Sequence, residues 1–404
     1  MNHRSGFGVS ELKEVIPGAA MDKRIRNKLI LAFSVVMLLL TTSGCGPLTT
    51  TQPEISPSYA GSEAITAAPT VTPEDTDDAD AGDGTNSRDW IVTLSSLEKV
   101  DDYPLYTMKY AGGYSQSAAE VEIGLAVHVA SPLHSDTGWG CSLFAVLVDD
   151  VRMLYGRNFD WRYSPALLLF TDPPDGYASA SMVDLEYLVD ENNLDNLAEF
   201  PPDEKNPLLQ TPYWPFDGMN EHGLVVGMAA VPDSRMPHDT GKAAIGSLMV
   251  IRKMLDHAQD THEALEILRQ YNIDWYGGPT LHYLIADAGG NAVLVEFFDG
   301  EMIVLPNRDP WHMATNHLRS QVDENDDAGC WRYSVLNQQL SASGGKLTSD
   351  QALELLSDVS WEDAEMGTQW SVVYDMIESQ VHVVMGRDYQ NVYTFGLSGA
   401  AQPP

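Results

Sequence analysis

A cysteine, an arginine and an aspartate at fixed spacing form the strongest chemical signal in the sequence. Cys141 follows Gly140, Arg157 comes sixteen residues later, and Asp160 follows three residues after that. A thiol with an ordinary pKa of about 8.5 is only slightly ionised at neutral pH, so it needs a base before it can attack. If Cys141 became the first residue of its chain, its own α-amino group, with a pKa of about 7.7–8.0, could accept that proton. No catalytic His would then be required.

This chemistry requires the bond between Gly140 and Cys141 to break. Gly140 suits self-cleavage because a residue without Cβ tolerates strained backbone and leaves its carbonyl open to attack. The prediction is a fragment of residues 45–140 and a fragment of residues 141–404 that stay associated. An arginine beside the thiol, as predicted for Arg157, would favour the thiolate through its charge.

A β-hairpin would bring these side chains together. Residues 141–148 form a mostly apolar run, two aspartates interrupt it, and residues 151–155 predict a second strand. Arg157 and Asp160 would then return beside Cys141. The alternative is an Arg–Asp pair that only closes the end of a strand.

The stretch 140–160 resembles the start of the mature chain in the choloylglycine hydrolase and penicillin V acylase group of N-terminal nucleophile (Ntn) hydrolases. These are linear amide C–N hydrolases, and their relatives include acid ceramidase and acyl-CoA:isopenicillin N acyltransferase. The match consists of the cysteine, G-R-N-x-D at 156–160, and later motifs at 218–224, 282–296 and 315–316 in the same order. The resemblance covers residues 89–404. It implies an α+β fold, the αββα sandwich of two antiparallel sheets between helical layers.

The resemblance also implies roles for particular side chains. Asp160 would anchor and orient the new α-ammonium group, and the Asn316 amide would donate to the tetrahedral oxyanion, a contact worth about 3 kcal/mol of barrier. Arg332 resembles a later active-site arginine of the family. Ala229 departs from the pattern, because bile salt and penicillin acylases usually carry Asn or Tyr there. The second oxyanion donor would then be a backbone N–H, such as that of Ser142, or another side chain.

Several other residues are interpreted as structural. Residues 217–224 predict a hairpin with Asn-Glu-His-Gly as its turn. His282 and Glu296 are expected to be scaffold residues of a central sheet. Cys330 is expected to be a partly buried, inert thiol. No metal-ligand spacing such as H-E-x-x-H and no Gly-rich phosphate loop occurs in the sequence, so no metal or cofactor is predicted.

The N-terminal 45 residues predict a lipoprotein signal peptide. Basic residues at 23–28 precede the twelve-residue apolar core 29–40, which is shorter than the roughly 20 residues a spanning helix needs. Cys45 would become the lipidated terminus, which predicts a membrane-anchored protein on the extracytoplasmic face. An ordinary secretory signal is the alternative, and translation could start at Met1 or at Met21.

The remaining chain divides into a tether and a catalytic domain. Residues 46–88 are rich in Thr, Ser, Pro, Ala and Asp, which predicts a flexible linker. The Ntn-hydrolase domain is predicted over 89–404, with 89–140 as its propeptide segment. A formal net charge of −35 argues against nucleic acid as a partner.

Further strands and helices are predicted from periodicity. Predicted strands are 105–110, 123–129, 166–170, 281–286, 292–297, 302–305, 370–374, 380–385 and 391–397. Predicted helices are 245–257 and 264–271, with a cap at Asp260, and 352–356 behind a Thr348–Gln351 capping box. Residues 190–215 are predicted to be a loop.

The leading hypothesis is an extracytoplasmic amidase that cleaves a linear, non-peptide amide through a thioester on Cys141. The substrate would be a small N-acyl amide such as an N-acyl amino acid, a conjugated bile acid or a β-lactam side chain. An acyltransferase of the same fold, a Cys–His peptidase and an inactive ligand-binding surface lipoprotein are the alternatives. A homo-oligomer stays open.

Overall fold

The computed structural model describes residues 88–114, 140–149, 152–189, 196–232, 234, 238–275, 278–323, 326–363 and 366–399. The strands in chain order are β1 (Glu98–Asp101), β2 (Leu105–Tyr110), β3 (Gly140–Asp149), β4 (Arg152–Trp161), β5 (Ala166–Thr171), β6 (Ser179–Asp184), β7 (Asp217–Asn220), β8 (Val225–Ala230), β9 (Ala243–Gly246), β10 (Tyr271–Asp274), β11 (Leu281–Ala286), β12 (Ala292–Phe298), β13 (Glu301–Pro306), β14 (Trp311–Ala314), β15 (Gly367–Asp375), β16 (Gln380–Met385) and β17 (Tyr393–Gly396). The α-helices are α1 (Asp89–Ser95), α2 (Met249–His257), α3 (Thr261–Arg269), α4 (Trp331–Ser343) and α5 (Ser349–Asp358).

Two large sheets form the centre of the domain. A nine-stranded sheet has the order β1-β2-β5-β6-β7-β8-β11-β12-β13, and a six-stranded sheet has the order β14-β3-β4-β15-β16-β17. Neighbouring strands are antiparallel in both, except that β2 and β5 run parallel. The sheets face each other through contacts of β3 with β8 and β11. The Tyr155 hydroxyl of one sheet donates to the Leu284 carbonyl of the other across this interface, over 3.0 Å.

Helices cover the outer face of each sheet. Helix α2 packs on β7 and β8, and α3 packs on β11. On the other side, α4 packs on β14 and β3, while α5 packs on β4 and β15. All residues of β5, β6, β8 and β11 are buried, as expected for strands covered on both faces. The predicted αββα sandwich is confirmed, with one parallel pair in the larger sheet.

Most predicted elements of the domain are confirmed, including the central hairpin β3–β4 and the meander β11–β12–β13. Both predicted caps are present: Asp260 accepts from the Glu263 amide at the start of α3, and Thr348 with Gln351 forms a capping box before α5. The hairpin of residues 217–224 is also present as β7 and β8.

Several predicted boundaries differ from those in the structure. The helix predicted from residue 245 begins at Met249, and the next ends at Arg269, because 243–246 and 271–274 pair as parallel strands. The predicted loop 190–215 contains a 3-10 helix at Pro202–Tyr213, whose two internal prolines lack the N–H groups an α-helix needs.

Two of the five α-helices in the described residues were not predicted. In α4 the buried residues are Arg332, Leu336 and Leu340. Only one residue in each turn is buried, and one of the three is charged, so the helical periodicity of apolar residues is weak in the sequence. Helix α1 has only seven residues, and Trp90, Ile91 and Val92 on it are exposed. The predicted strand 123–129, the signal peptide and residues 46–87 of the linker lie outside the described residues. No helix in the described part of the chain is long and apolar enough to cross a membrane.

Candidate active site

The β3–β4 hairpin aligns the residues predicted to carry the chemistry. Cys141 lies opposite Phe159, Leu143 opposite Arg157, and Gly140 opposite Asp160. Directly opposed residues of an antiparallel pair point to the same face, so the Cys141 and Arg157 side chains share one face and Asp160 lies on the other. The thiol therefore faces the space between the sheets, and the Asp160 carboxyl faces the helical layer.

Arg157 is the charged group beside the thiol. Its Nη2 atom lies 3.9 Å from Cys141 Sγ, and its guanidinium stacks over the Phe159 ring at 5.2 Å. Burial raises the pKa of the Cys141 thiol, the Arg157 charge acts against that rise, and the Asp160 carboxylate adds to it. In the intact chain the thiol is therefore protonated at neutral pH, and it depends on a base to become a nucleophile.

Asp217 holds Arg157 from the opposite sheet. Arg157 Nη1 donates to Asp217 Oδ2, the Tyr374 hydroxyl donates to Asp217 Oδ1, and both charged side chains are fully buried. Burial raises the pKa of the Asp217 carboxyl, and the Arg157 guanidinium acts against that rise. Sequence reasoning took residues 217–224 as a structural hairpin and missed this contact. The burial of Asp217 and its neighbours appears only in the fold, so the local sequence carried no signal for this contact.

Replacing Asp217 by Asn is expected to destabilise the domain strongly. The Arg157 charge would remain buried without a compensating carboxylate, which typically costs about 3–5 kcal/mol. Urea denaturation measures the loss, and Glu266→Gln in the exposed Arg269–Glu266 pair is the matched control, expected to cost no more than about 1 kcal/mol. A loss in Asp217→Asn no larger than in this control would contradict the prediction. Arg157→Met with Asp217→Asn should recover part of the stability, because no buried charge is left unpaired.

The backbone of Cys141 is held by two of the predicted site residues. Its N–H donates to Asn316 Oδ1 over 2.7 Å, and its carbonyl accepts from Arg332 Nη1 over 2.7 Å. Arg332 Nη2 also donates to Asn316 Oδ1 over 2.9 Å, and Asn316 Nδ2 donates to the Ala230 carbonyl over 2.9 Å. These partners fix the orientation of the amide, because a flipped Asn316 would point its NH₂ group at two donors.

Asp160 is surrounded by hydrogen-bond donors on the helical side of the hairpin. Its Oδ2 accepts from Trp361 Nε1 over 2.9 Å and from Arg332 Nη1 over 3.2 Å, and its Oδ1 accepts from the Thr368 hydroxyl over 2.6 Å. In this arrangement it is Asn316, rather than Asp160, whose side chain accepts from the Cys141 nitrogen.

The neighbours of Gly140 give a reason for glycine at this position. Gly140 lies in β3 and is not among the glycines with positive φ, so its φ angle does not itself require glycine. A Cβ at this position would instead lie 2.7 Å from Trp361 Nε1 and 2.9 Å from Asp160 Oδ2. Glycine is required because the hydrogen bond between these two side chains closely approaches its α-carbon.

A small apolar cavity opens at the thiol. Its volume is about 40 Å³, and all but one of its lining residues are apolar, aromatic, Gly, Pro or Cys side chains: Cys141, Phe159, Tyr187, Phe216, Met228, Ala230, Ser247, Leu248, Gly278, Pro279 and Leu281. A water needs about 10–15 Å³ of such space, so the cavity has room for a few waters only. A substrate group that enters it must be slim and apolar or must displace side chains.

The remaining predicted residues lie around this centre. Ala229 is buried in β8 opposite His282, and the next residue offers its carbonyl, not a donor, to Asn316. The His282 ring is 3.3 Å from Glu296, whose carboxylate accepts from the backbone amides of Arg319 and Ser320. These contacts agree with a scaffold role for the His282–Glu296 pair.

Cys330 occupies the N-cap position of α4 and is fully buried, not partly buried as predicted. The Thr315 hydroxyl lies 3.4 Å from its sulfur, in the residue that precedes Asn316. Cys141 and Cys330 are both thiols, and neither forms a disulfide.

Comparison with known proteins gives a family match over part of the chain. Residues 213–390, which include Asp217, Asn316 and Arg332, match the family described as acyl-coenzyme A:6-aminopenicillanic acid acyl-transferase. This agrees with the resemblance predicted from the sequence motifs.

Solved structures of two kinds of enzyme are similar at low identity. A mutant of the conjugated bile acid hydrolase from Clostridium perfringens is 15% identical over 65% of this chain and 97% of that chain, with a TM-score of 0.48. A second variant of that hydrolase is 14% identical over 64% of this chain and 93% of that chain, with a TM-score of 0.48. Penicillin V acylase from Agrobacterium tumefaciens is 17% identical over 64% of this chain and 86% of that chain, with a TM-score of 0.45.

Proposed function

We propose that this chain is a cysteine amidase of the choloylglycine hydrolase-like Ntn hydrolases, which the family match over residues 213–390 and the motifs around Cys141 support. It would cut its own Gly140–Cys141 bond and then hydrolyse a linear, non-peptide amide through a thioester on Cys141. The observation that carries the proposal is the pairing of two contacts at one residue. The Cys141 sulfur lies 3.9 Å from the buried Arg157 guanidinium, and the Cys141 nitrogen is held by Asn316.

The state of the thiol supports a nucleophile that is activated by cleavage. Burial keeps the pKa of the Cys141 thiol above its ordinary value in the intact chain. Cutting the Gly140–Cys141 bond would release an α-amine with a pKa of about 7.7–8.0 on the same residue, within reach of the sulfur. That amine takes the thiol proton, Arg157 stabilises the thiolate, and the amine later protonates the leaving nitrogen of the substrate.

Asn316 would serve both the amine and the oxyanion. Its Oδ1 accepts from the Cys141 nitrogen, and the same acceptor suits an amine released at that position. An Asn side chain has two N–H donors, and Ala230 uses one of them. The second donor is available for the oxyanion of the tetrahedral intermediate. Arg332 fixes Asn316 through Oδ1 and keeps the amide from flipping.

The cavity favours an apolar acyl group. Phe159, Met228 and Leu248 line it together with Cys141, and the hydroxyl groups among the described lining residues are those of Ser247 and Tyr187. A flexible hydrocarbon chain fits this narrow space better than the rigid steroid of a conjugated bile acid. Among the predicted substrates, an N-acyl amino acid with an aliphatic acyl group is therefore our proposal. The amine part would remain on the open side of the cavity.

The location of the enzyme is proposed from the sequence. The basic residues, the short apolar core and Cys45 within the first 45 residues support a bacterial lipoprotein anchored by lipid on the extracytoplasmic face. Membrane contact would then occur through the anchor, and the net charge of −35 disfavours nucleic acid.

A second candidate function is acyl transfer, and the description of the matching family favours it. The thioester on Cys141 is common to both reactions, which differ in whether water or an amine attacks it. Adding a primary amine to the assay separates them: an acyltransferase forms a new amide with the added amine, and a hydrolase releases the free acid. The Cys–His peptidase is less well supported, because the hydrogen bonds of Cys141 within the described residues involve Asn316, Arg157 and Arg332.

The direct test is intact-mass measurement of the purified chain, with an assay for free amine released from N-acyl amino acids. We expect a fragment that begins at Cys141 and a hydrolytic activity that appears with it, because the base for the thiol is created by the cut. Turnover of amides by a chain in which residues 140 and 141 are still joined would overturn the proposal.

A further inference from the structure

The Asp160 carboxyl is built into a small unit with two neutral donors. Trp361 Nε1 donates to Oδ2 over 2.9 Å, and the Thr368 hydroxyl donates to Oδ1 over 2.6 Å. The two donor residues are also bonded to each other. The backbone N–H of Trp361 donates to the Thr368 hydroxyl oxygen over 3.2 Å, and the backbone N–H of Thr368 donates to the Trp361 carbonyl over 2.9 Å. The carboxyl therefore has little freedom to rotate.

Arg332 is the charged partner of this carboxyl, but it also has other acceptors. Its Nη1 atom lies 2.7 Å from the Cys141 carbonyl and 3.2 Å from Asp160 Oδ2. Its Nη2 atom is bonded to Asn316. At 2.9 Å from Asp160 Oδ2, Trp361 Nε1 is a closer donor than Arg332 Nη1 at 3.2 Å.

The Trp361–Asp160 hydrogen bond lies directly against the bond that would be cut. A Cβ on Gly140 would meet Trp361 Nε1 at 2.7 Å and Asp160 Oδ2 at 2.9 Å. Trp361 is 201 residues from Asp160 in sequence, in the segment between α5 and β15, and no motif in the sequence marked it.

We propose that Trp361 is a positioning residue for self-cleavage, whose indole N–H holds the Asp160 carboxyl in a fixed orientation beside the Gly140–Cys141 bond. The inference rests on the proposed function, since it concerns the cut that creates the nucleophile.

The charge has a defined use in the cleavage step. Cys141 Sγ attacks the Gly140 carbonyl carbon, the C–S bond of a thioester forms and the C–N bond breaks. The thiol proton and the released electron pair end on the Cys141 nitrogen, giving an amine that becomes an ammonium when it takes a second proton from solvent. Water then hydrolyses the thioester to a Gly140 carboxylate and the free thiol. A fixed carboxylate next to this bond stabilises the positive charge that develops at the nitrogen.

The hydrogen bond also affects the ionisation of Asp160. Burial raises the pKa of the Asp160 carboxyl, and Arg332, Thr368 and Trp361 each act against that rise. Losing the indole donor therefore raises the pKa further, so the carboxylate is neutralised at a higher pH. If cleavage needs the charged carboxylate, the cleavage rate falls as the pH is lowered through this pKa. Without the indole donor, the midpoint of this fall moves to higher pH.

The test follows cleavage of the full chain over time by intact mass at several pH values. Trp361→Phe keeps an aromatic ring without the donor, and Trp311→Phe, a half-buried indole on β14, is the matched control. We expect Trp361→Phe to cut about tenfold more slowly or worse, from the loss of one hydrogen bond to a charged group. Its acid midpoint should move to higher pH. Thr368→Val should shift the midpoint in the same direction, and Trp311→Phe should cut as the wild type does.

Two outcomes would overturn the proposal while leaving the proposed function intact: wild-type cutting by Trp361→Phe, or slower cutting with an unchanged acid midpoint. The second outcome would indicate packing alone. If Trp361→Phe fails to fold, benzothienylalanine at position 361 keeps the shape of the indole and replaces its N–H by sulfur, and the same shift is expected. A wild-type chain that is never cut would overturn both proposals.

Discussion

Replacing Cys141 by Ala is expected to leave the bond between residues 140 and 141 uncut and to abolish measurable amide hydrolysis. The sulfur is the attacking atom in both proposed reactions. The domain should remain folded, because Cys141 is a small, 5% exposed residue in a strand whose neighbours supply the packing. Intact mass, a hydrolysis assay and thermal unfolding measure the three outcomes.

Cys330→Ala is the matched control for this variant. Cys330 is the second buried thiol, and the Thr315 hydroxyl lies 3.4 Å from its sulfur. We expect this variant to be cut and to hydrolyse amides at the wild-type rate. Cys141→Ser should cut slowly at best, because a hydroxyl is a far weaker nucleophile at neutral pH than a thiol. Cleavage in Cys141→Ala would exclude the sulfur as the attacking group.

The local part of the site could be predicted because one hairpin contains it. The apolar run of β3, the break after it and the return of β4 are all short-range signals. Once the hairpin is assigned, its register brings Arg157 and Asp160 back to the start of β3, where Cys141 lies. The predicted α+β class likewise followed from strands and helices that each have their own periodicity.

The partners of these residues could not be predicted in the same way, because they come from distant parts of the chain. Asp217 lies 60 residues from Arg157, and Thr368 lies 208 residues from Asp160. Nothing in the local sequence distinguishes these side chains from ordinary strand residues. Their positions depend on how the two sheets and the segment after α5 pack together, which is a property of the whole fold.

Gly140 shows how an explanation from local sequence can miss the neighbours of a residue. The prediction invoked tolerance of strained backbone and an open carbonyl, which follow from the absence of a Cβ. The backbone at Gly140 is an ordinary strand, and its lack of a side chain matters because Trp361 and Asp160 approach it. Local sequence can indicate that a glycine is special, but only the packed structure shows which neighbour requires it.

Asn316→Asp is expected to reduce kcat by about 10²–10³-fold, the usual cost of one oxyanion donor. The variant keeps an oxygen at the Oδ1 position, so the acceptor for the Cys141 nitrogen and for Arg332 remains. It replaces the Nδ2 donor by an oxygen that faces the Ala230 carbonyl, so the donor to the oxyanion is lost. Self-cleavage should still occur, and KM should change much less than kcat, because the lost contact forms in the transition state.

Asn307→Asp is the matched control, since the Asn307 amide makes the same kinds of contact away from the site. Its Oδ1 accepts from the Ala292 amide over 3.1 Å, and its Nδ2 donates to the Asp309 carbonyl over 3.0 Å. This variant should retain wild-type kcat. Asn316→Leu removes both the acceptor and the donor, and we expect it to lose cleavage as well as turnover. If Asn316→Asp hydrolysed amides as fast as Asn307→Asp, the oxyanion donor would have to be another group. Asn316→Asp keeps the acceptor for the Cys141 nitrogen, and Asn316→Leu does not. Self-cleavage in the first variant and not in the second would therefore show that anchoring of this nitrogen is separate from stabilisation of the oxyanion.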